Sequence, residues 1–540
     1  MSNSKDQTLL PQWNEELASQ VSFADPTSGT GSDYRLVYAS DILKLENISS
    51  GHVHDRIHVN DSIGVEIEFT MEESKLTSND KAKQGQDKME KIEQKIGEKL
   101  LSGSYHGDDV VLNDQFPMTS GSTAYLNIYA YPKALPKRSF FKQLKECIIG
   151  EDEESTEQNS HLKYGHRHEH HRRLKLAPVE DFAKASQLVQ NIKQISKLSH
   201  RSQDRYLVIV NPFSGTKQGE KVYNEIVKKM LNEMGVEHDV LITQRTGHAT
   251  ERMMEQSNDD KEFDRDVKEY HTVIAMGGDG ILSEIIHGIQ KRSDFETIID
   301  RLNFGIVGCG TSNGLAASIN YAANEKYSPL ESMFLISRGG LKTLDLSHYE
   351  TASRTYTSFL TYSWAFIADV DIESELIRFM GILRNDIWAV WRLICLRTYR
   401  AKFSYVPNIS SFDAEKDFPK LNENVPSDWI TIEDDFIMFW ASQVSHASTT
   451  TFQSPHSKLQ DGLFTILIIR KPCSKLELLK ILLGLENGTH LSQPKAEFFQ
   501  CKAFRLEPIS KGSFNDIDGE VVEPGRLQAY VKNRGLQLHA

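Results

Sequence analysis

A chain of 540 residues exceeds what one hydrophobic core supports, and at about 150 residues per domain it should hold about two to four domains. Its 62 Lys and Arg against 75 Asp and Glu leave a net charge of −13. That excludes sequence-independent nucleic-acid binding as a leading role, because such binding needs clustered cations to replace phosphate counterions. Five cysteines (Cys147, Cys309, Cys395, Cys473, Cys501) are scattered, odd in number and never spaced CxxC, so neither a disulfide framework nor a zinc ribbon is indicated and a reducing compartment is expected.

The start, Met1-Ser-Asn-Ser-Lys-Asp, lacks an apolar h-region, Ser2 replaces the glycine that myristoylation requires, and Leu538-His-Ala offers no prenyl cysteine. The longest apolar stretches, near Trp388–Leu396 and Leu476–Leu485, carry Arg392 and Lys480 and fall short of the ~18–20 residues of a spanning helix. The expectation is a soluble, cytoplasmic protein that meets membranes peripherally, from the surface. Residues 1–32 are polar and read as a disordered tail. Residues 33–150 read as a β-rich extension: Tyr34–Ala39, Ile63–Phe69 and Ala124–Tyr131 alternate with period two, around a polar insert at about 71–100. Residues 151–200 read as a charged, His-rich linker (His161, His166, His168, His170, His171), solvated rather than metal-binding, followed by a helix marked by Phe182, Leu188, Val189, Ile192 and Ile195.

Residues 203–342 alternate strand and helix. The strands Tyr206–Val210, Val240–Thr243, Thr272–Met276 and Phe304–Val307 are continuous apolar runs, as in a parallel sheet buried on both faces. The first crossover helix shows Val222, Ile226, Met230 and Met234 at spacings of four. Three strands end in glycine-bearing segments, Asn211-Pro-Phe-Ser-Gly, Gly277-Gly-Asp-Gly and Gly308-Cys-Gly-Thr-Ser-Asn-Gly, where open α/β sheets bind ligands. Residues 343–540 carry short β-type runs, with helices around 372–398 and 475–486, and read as an antiparallel β-sandwich.

Taken by themselves these loops leave alternatives open. Asn211–Gly219 is not a Walker A sequence, yet its backbone N–H groups could cradle a phosphate. Asp279, between glycines, with Glu284 five residues on, could take a proton from a hydroxyl or hold Mg²⁺, or could simply cap a helix.

Their order and spacing resemble the diacylglycerol-kinase catalytic superfamily. Trp364-Ala-Phe-Ile-Ala-Asp-Val-Asp-Ile-Glu-Ser-Glu, Leu396-Arg-Thr-Tyr-Arg, Ala503-Phe-Arg-Leu-Glu-Pro and Ile517-Asp-Gly-Glu narrow the resemblance to sphingosine kinases, over about residues 205–540. The resemblance implies an ATP- and Mg²⁺-dependent kinase that phosphorylates the primary hydroxyl of a sphingoid base to give sphingosine 1-phosphate, with Asp279 as general base. It implies that Asn211, Pro212, Phe213, Gly215, Thr243, Gly247, Gly278, Glu284, Gly310, Thr311, Ser312 and Asn313 line the nucleotide site. Arg378 and Arg384 would hold phosphates, and Asp518, Gly519 and Glu520 of the last hairpin would reach the nucleotide and its Mg²⁺. Gly277, Gly280, Thr361, Phe366 and Ile367 would border the lipid headgroup, and Asp371 would pair with its amine. The implied architecture is an N-terminal parallel-sheet α/β nucleotide domain followed by the β-sandwich lipid-binding domain, with a small β-rich N-terminal extension. A sphingoid-base substrate and a membrane surface are the implied partners; a homodimer is left open, and nucleic acid is not expected.

Departures stand beside the match: Gly308, Ser312, Gly277, Phe213 and Ser214 occupy positions where the family usually carries other residues. The alternatives are a kinase for ceramide or diacylglycerol, or a non-catalytic lipid-binding scaffold. The apolar run from Ile387 to Trp391, with Arg384, Arg392 and Arg397 nearby, reads either as an interfacial helix suited to anionic lipid or as a core helix.

Overall fold

The computed structural model describes residues 23–24, 33–39, 42–47, 53–58, 61–71, 122–133, 166–169, 171–176, 182–196, 204–215, 217–255, 265–310, 312–407, 412–532 and 535–540. The expected polar tail (apart from Phe23–Ala24), the insert beyond Met71 and the acidic stretch at 151–154 lie outside these residues. The chain forms two compact units, residues 1–132 with 169–199, and residues 133–168 with 200–540.

The first unit is one antiparallel sheet of β1 (Phe23–Ala24), β2 (Asp33–Ala39), β3 (Ile42–Asn47), β4 (Val53–His58), β5 (Ser62–Met71), β6 (Ser122–Ala130) and β7 (Arg172–Leu176), in the order β4-β3-β2-β1-β7-β6-β5. Helix α1 (Phe182–Ile195) lays Leu188, Val189 and Ile192 against Leu36, Leu43, Val65, Leu126 and Ile128. The alternating runs are strands, as expected. The solvated-linker reading needs correction, because Arg172-Arg-Leu-Lys-Leu is an interior strand, hydrogen-bonded to β1 and β6. Within the second unit, Arg167 pairs with Glu325 at 2.7 Å and lies 3.5 Å over the Phe334 ring, while His166 Nδ1 bonds to Glu331 Oε1 at 2.7 Å. Arg167 is docked, its side chain nearly buried against Glu325, whereas the His166 and His168 side chains stay exposed as a solvated linker's would.

The second unit begins with the α/β sheet: β8 (Arg205–Val210), β9 (Glu237–Ile242), β10 (Thr272–Gly277) and β11 (Asn303–Gly308) run parallel. Every residue of β10 is buried, which is why no polar alternation marks it. The first crossover, residues 219–234, contains a π turn at Tyr223–Val227. The buried face is Tyr223, Val227, Met230 and Leu231; of the expected stripe Met230 is buried, while Val222, Ile226 and Met234 are only half-buried. Helices α2 (Asp279–Gln290), α3 (Gly314–Ala322) and α4 (Pro329–Arg338) follow the strands.

The sheet continues through β12 (Leu341–Leu344) and finishes with the chain's last strand, β24 (Leu536–His539), in the order β12-β24-β11-β10-β8-β9. The assignment of all residues after 343 to a separate β domain is corrected here. Leu536-Gln-Leu-His is four residues long, too short to reveal its partner, and it pairs parallel to β11 and antiparallel to β12.

Between these lie β13 (Ser347–Glu350), β14 (Thr355–Ser358), β15 (Thr361–Ala365), β16 (Tyr399–Tyr405), β17 (Ile430–Ser442), β18 (Phe464–Arg470), β19 (Glu497–Cys501), β20 (Ala503–Pro508), β21 (Asn515–Ile517), β22 (Glu520–Val522) and β23 (Leu527–Val531). The expected sandwich of separate sheets is instead one continuous eleven-stranded sheet. It curls round on itself. β13 and β15 are five steps apart in strand order, about 24 Å in a flat sheet, yet the Tyr349 and Tyr362 rings are 5.8 Å apart. Helices α5 (Phe366–Glu373), α6 (Arg384–Ile394) and α7 (Lys475–Gly484) enclose an apolar layer with β17 and β18: Phe366, Val370, Ile437, Met438, Leu467 and Ile481. Among the described residues no helix is long and apolar enough to cross a membrane.

Candidate active site

Three loops at the carboxyl ends of parallel strands converge. After β8, Asn211 Oδ1 accepts the Phe213 N–H at 3.0 Å, closing a tight turn that contains Pro212, and Gly215 follows with φ 53°. Ser214 Oγ approaches the N–H of Gly278 in the loop after β10. The loops after β10 and β11 touch backbone to backbone: Cys309 and Gly310 donate N–H bonds to the Gly277 carbonyl, and Asp279 N–H reaches the Ser312 carbonyl at 3.3 Å. A Cβ on Gly310 would lie 2.7 Å from Gly278 Cα, so only glycine permits this approach. Asn313 locks its own loop, accepting from Gly310 N–H at 2.9 Å and donating to Gly310 O at 2.6 Å.

Asp279 opens α2 but caps a different helix. Its Oδ2 accepts from Gly314 N–H at 2.8 Å and its Oδ1 from Leu315 N–H at 3.1 Å, at the start of α3. Burial raises this carboxyl to about 7; the two N–H bonds pull it down, and the neighbouring Asp518 pushes it up again. Asp518 is raised to about 6, mainly by burial, although Ser358 Oγ and Thr361 N–H both donate to its Oδ1. Asp516 lies two residues away on β21, and the Asp371 carboxyl of α5 is its close neighbour. Burial raises Asp371 to about 6, with Arg384 drawing it down, and Asp516 stands well above the usual carboxylate range. A row of four acids, Asp279 and Asp516 buried and Asp518 and Asp371 half-buried, thus runs from the glycine loops to α5. Such a row is stable only if it shares protons or receives a cation.

Residues 205–349 match the diacylglycerol kinase catalytic domain. Sphingosine kinase 1 of Arabidopsis thaliana is 32% identical over 359 residues, covering 62% of this chain and 72% of that protein. The chain belongs to the sphingosine kinase family. Sphingosine kinase 1 of Homo sapiens is 29% identical over 350 residues, 61% of this chain and 88% of its own. A crystal structure of a putative diacylglycerol kinase from Bacillus anthracis aligns with a TM-score of 0.43 at 15% identity, over 62% of this chain and 96% of that one. The protein is a lipid kinase.

The structure of this family member gathers part of the sequence-predicted set. Thr243 is buried beside Val210, and Gly247, with φ 80°, begins a short helix. Glu284 has its backbone tied to Thr250 Oγ1 at 2.9 Å, while its buried Oε2 meets no partner among the described residues. Gly280 faces open space, the Ser312 side chain is exposed, and Gly308 packs under the Tyr327 hydroxyl. Thr361 and Phe366 are buried, the latter in the apolar layer with Ile367 at its border. Thr311 and the side chain of Arg378 lie outside the described residues.

Other predicted residues are engaged elsewhere. Arg384 is bound to Glu375. Asp518 and Gly519 have φ of 53° and 83°, the two-residue hairpin turn joining β21 to β22, and Glu520 beyond them is exposed. The expected basic surround of the apolar helix is also corrected: Arg392 is buried on Glu373, and Arg397 pairs with Glu373 at 2.8 Å. Ile387, Val390 and Trp391 themselves are exposed, so the core-helix alternative falls for this face. Asp516 escaped sequence reasoning, because nothing in Ser513-Phe-Asn-Asp marks which strand will lie opposite.

Proposed function

We propose that the protein transfers the γ-phosphoryl group of ATP to the primary hydroxyl of sphingosine or a related sphingoid base, giving sphingosine 1-phosphate, with Asp279 as general base. The observation that carries this is the row of acids ending against an apolar layer. A sphingoid base has an ammonium to neutralise the acids, a hydroxyl one carbon away, and a tail for the layer.

The residues present fit a nucleotide: the close Gly278–Gly310 approach leaves room for a ligand against the backbone, and Glu284 Oε2 on α2 is a buried acceptor with no partner among the described residues. When bound, ATP with Mg²⁺ supplies the phosphoryl group and the cation that spreads its charge. Asn211, Gly215, Gly278, Gly310 and Asn313 would hold it. Asp279, aimed by two helix N–H groups, takes the hydroxyl proton at a carboxylate oxygen. Asp371 orients the amine, and Thr361, Phe366 and Ile367 direct the chain into the layer beneath α6 and α7. The exposed apolar side chains of residues 376–394 rest on the membrane from which the lipid is taken.

The test is transfer of radiolabelled phosphate from ATP, using purified protein with sphingosine, ceramide and diacylglycerol. Sphingosine should be labelled, and Asp279→Asn should lower the rate by about 10²–10⁴-fold. Labelling of ceramide or diacylglycerol in preference, or an Asp279→Asn protein of unchanged rate, would overturn the proposal.

A further inference from the structure

Asp516 sits on β21 directly across the ladder from Ser363 of β15. It is 4% exposed. Ser363 Oγ donates to its Oδ2 at 2.8 Å, which fixes the carboxyl plane. The other oxygen, Oδ1, is buried and meets no donor among the described residues. The Asp516 carboxyl has the Asp371 carboxyl as its close neighbour. Among the described residues the remaining charged groups near the pair are Arg384, which acts on Asp371 from the start of α6, and Asp518 on the same hairpin as Asp516. Arg384 is already bound to Glu375, so it does not close the gap.

We propose that Asp516 is a specificity-determining residue that joins Asp371 in a two-carboxyl cradle for a primary ammonium, selecting lipids with a free –NH₃⁺ over N-methylated or N-acylated ones. The inference rests on the sphingoid-base reading above and deepens it. A primary ammonium on one carbon has three N–H donors. One carboxylate satisfies two of them at most in good geometry, and Asp516 Oδ1 is the acceptor left over for the third. An N,N-dimethyl ammonium carries the same charge with a single N–H, which Asp371 alone satisfies. An N-acyl amide has neither the charge nor the donors. Charge alone therefore does not separate the first two classes, whereas the number of acceptors does. Ser363 contributes by holding Oδ2, which leaves Oδ1 as the oxygen without a donor among the described residues.

The experiment compares KM for sphingosine with the inhibition constant of its N,N-dimethyl analogue, in wild type, Asp516→Ala and Ser363→Ala. Asp516→Ala should raise KM for sphingosine by about tenfold or more, the size of a lost hydrogen bond to a charged group. kcat should change far less, and the inhibition constant of the dimethyl analogue should stay within about threefold. Ser363→Ala should move the same ratio in the same direction by less. A purely structural role would weaken both ligands alike, and that result overturns the proposal, as does an unchanged KM. Where Asp516→Ala fails to fold, Asp516→Leu decides on the same ratio, since it keeps the shape and removes both acceptors, and it should raise KM for sphingosine while leaving the inhibition constant of the dimethyl analogue nearly unchanged. If wild type does not phosphorylate sphingosine at all, the underlying substrate reading fails instead, which is a separate outcome.

Discussion

At the residue scale, Asp279 is a balance between opposed effects. Two N–H groups at the start of α3 favour its ionised form, yet burial outweighs them and leaves the carboxyl at about 7. As the proposed general base, Asp279 must be ionised to accept a proton. Below about pH 7 the ionised fraction falls tenfold per unit, so log kcat/KM should decline toward acid with a slope near one from that point. Asp518 pushes Asp279 upward, so Asp518→Asn should move the inflection toward acid. A pH profile of wild type and variant measures both, and a wild-type inflection near the ordinary carboxylate range would contradict this account. Asp279 was legible because glycines on either side mark it. Its true partner was not, since the helix it caps begins 35 residues later and only the loop contacts bring them together. Asp516 was invisible for the same kind of reason: its meaning comes from Ser363 across the ladder and Asp371 on a helix.

At the element scale, period and burial explain what could be read and what could not. Of the parallel strands, β8, β10 and β11 announced themselves because they are buried almost throughout, whereas β9, at the sheet edge, is only partly buried. The face of the first crossover slipped by one residue because a π turn inserts an extra residue into the spacing. The apolar stretch after α5 left two readings open, and exposure separates them: Leu376 is 75% and Phe379 86% exposed, and Leu383, Val390, Trp391 and Ile394 are exposed in series with them. Arg384, Arg392 and Arg397 are committed to Glu373 and Glu375, so the proposed attraction to lipid there would rest mainly on apolar burial. Co-sedimentation with phosphatidylcholine vesicles should therefore persist between about 0.1 and about 1 M salt. The double substitution Phe379→Glu with Val390→Glu should reduce it by at least about tenfold without lowering the melting temperature, because neither side chain is in the core. Binding abolished by salt would instead show an electrostatic surface.

At the scale of the whole second unit, the chain's end closes its beginning. The sheet that carries the glycine loops receives β24 between β11 and β12, and Leu536 and Leu538 are fully buried in the same core as Leu207, Phe304 and Leu344. His539 reaches Thr272 at the foot of β10, at 3.1 Å. No local pattern foretold this, since a four-residue strand pairs with segments more than 190 residues earlier and any short apolar run could have done so. The consequence is thermodynamic: the α/β sheet and the curled sheet cannot be cut apart at a point near residue 343, because the α/β core needs the last strand. Leu538→Ala opens a cavity in that core and should cost about 2–5 kcal/mol. Loss of the α/β core and of the curled sheet should remain a single transition, because β23 and β24 belong to different sheets but are joined by a few residues. Urea unfolding followed by near-ultraviolet signal and by far-ultraviolet ellipticity measures this. A Leu538→Ala protein in which the α/β sheet melts well before the curled sheet would show that β24 is an accessory edge rather than the strand that completes the sheet.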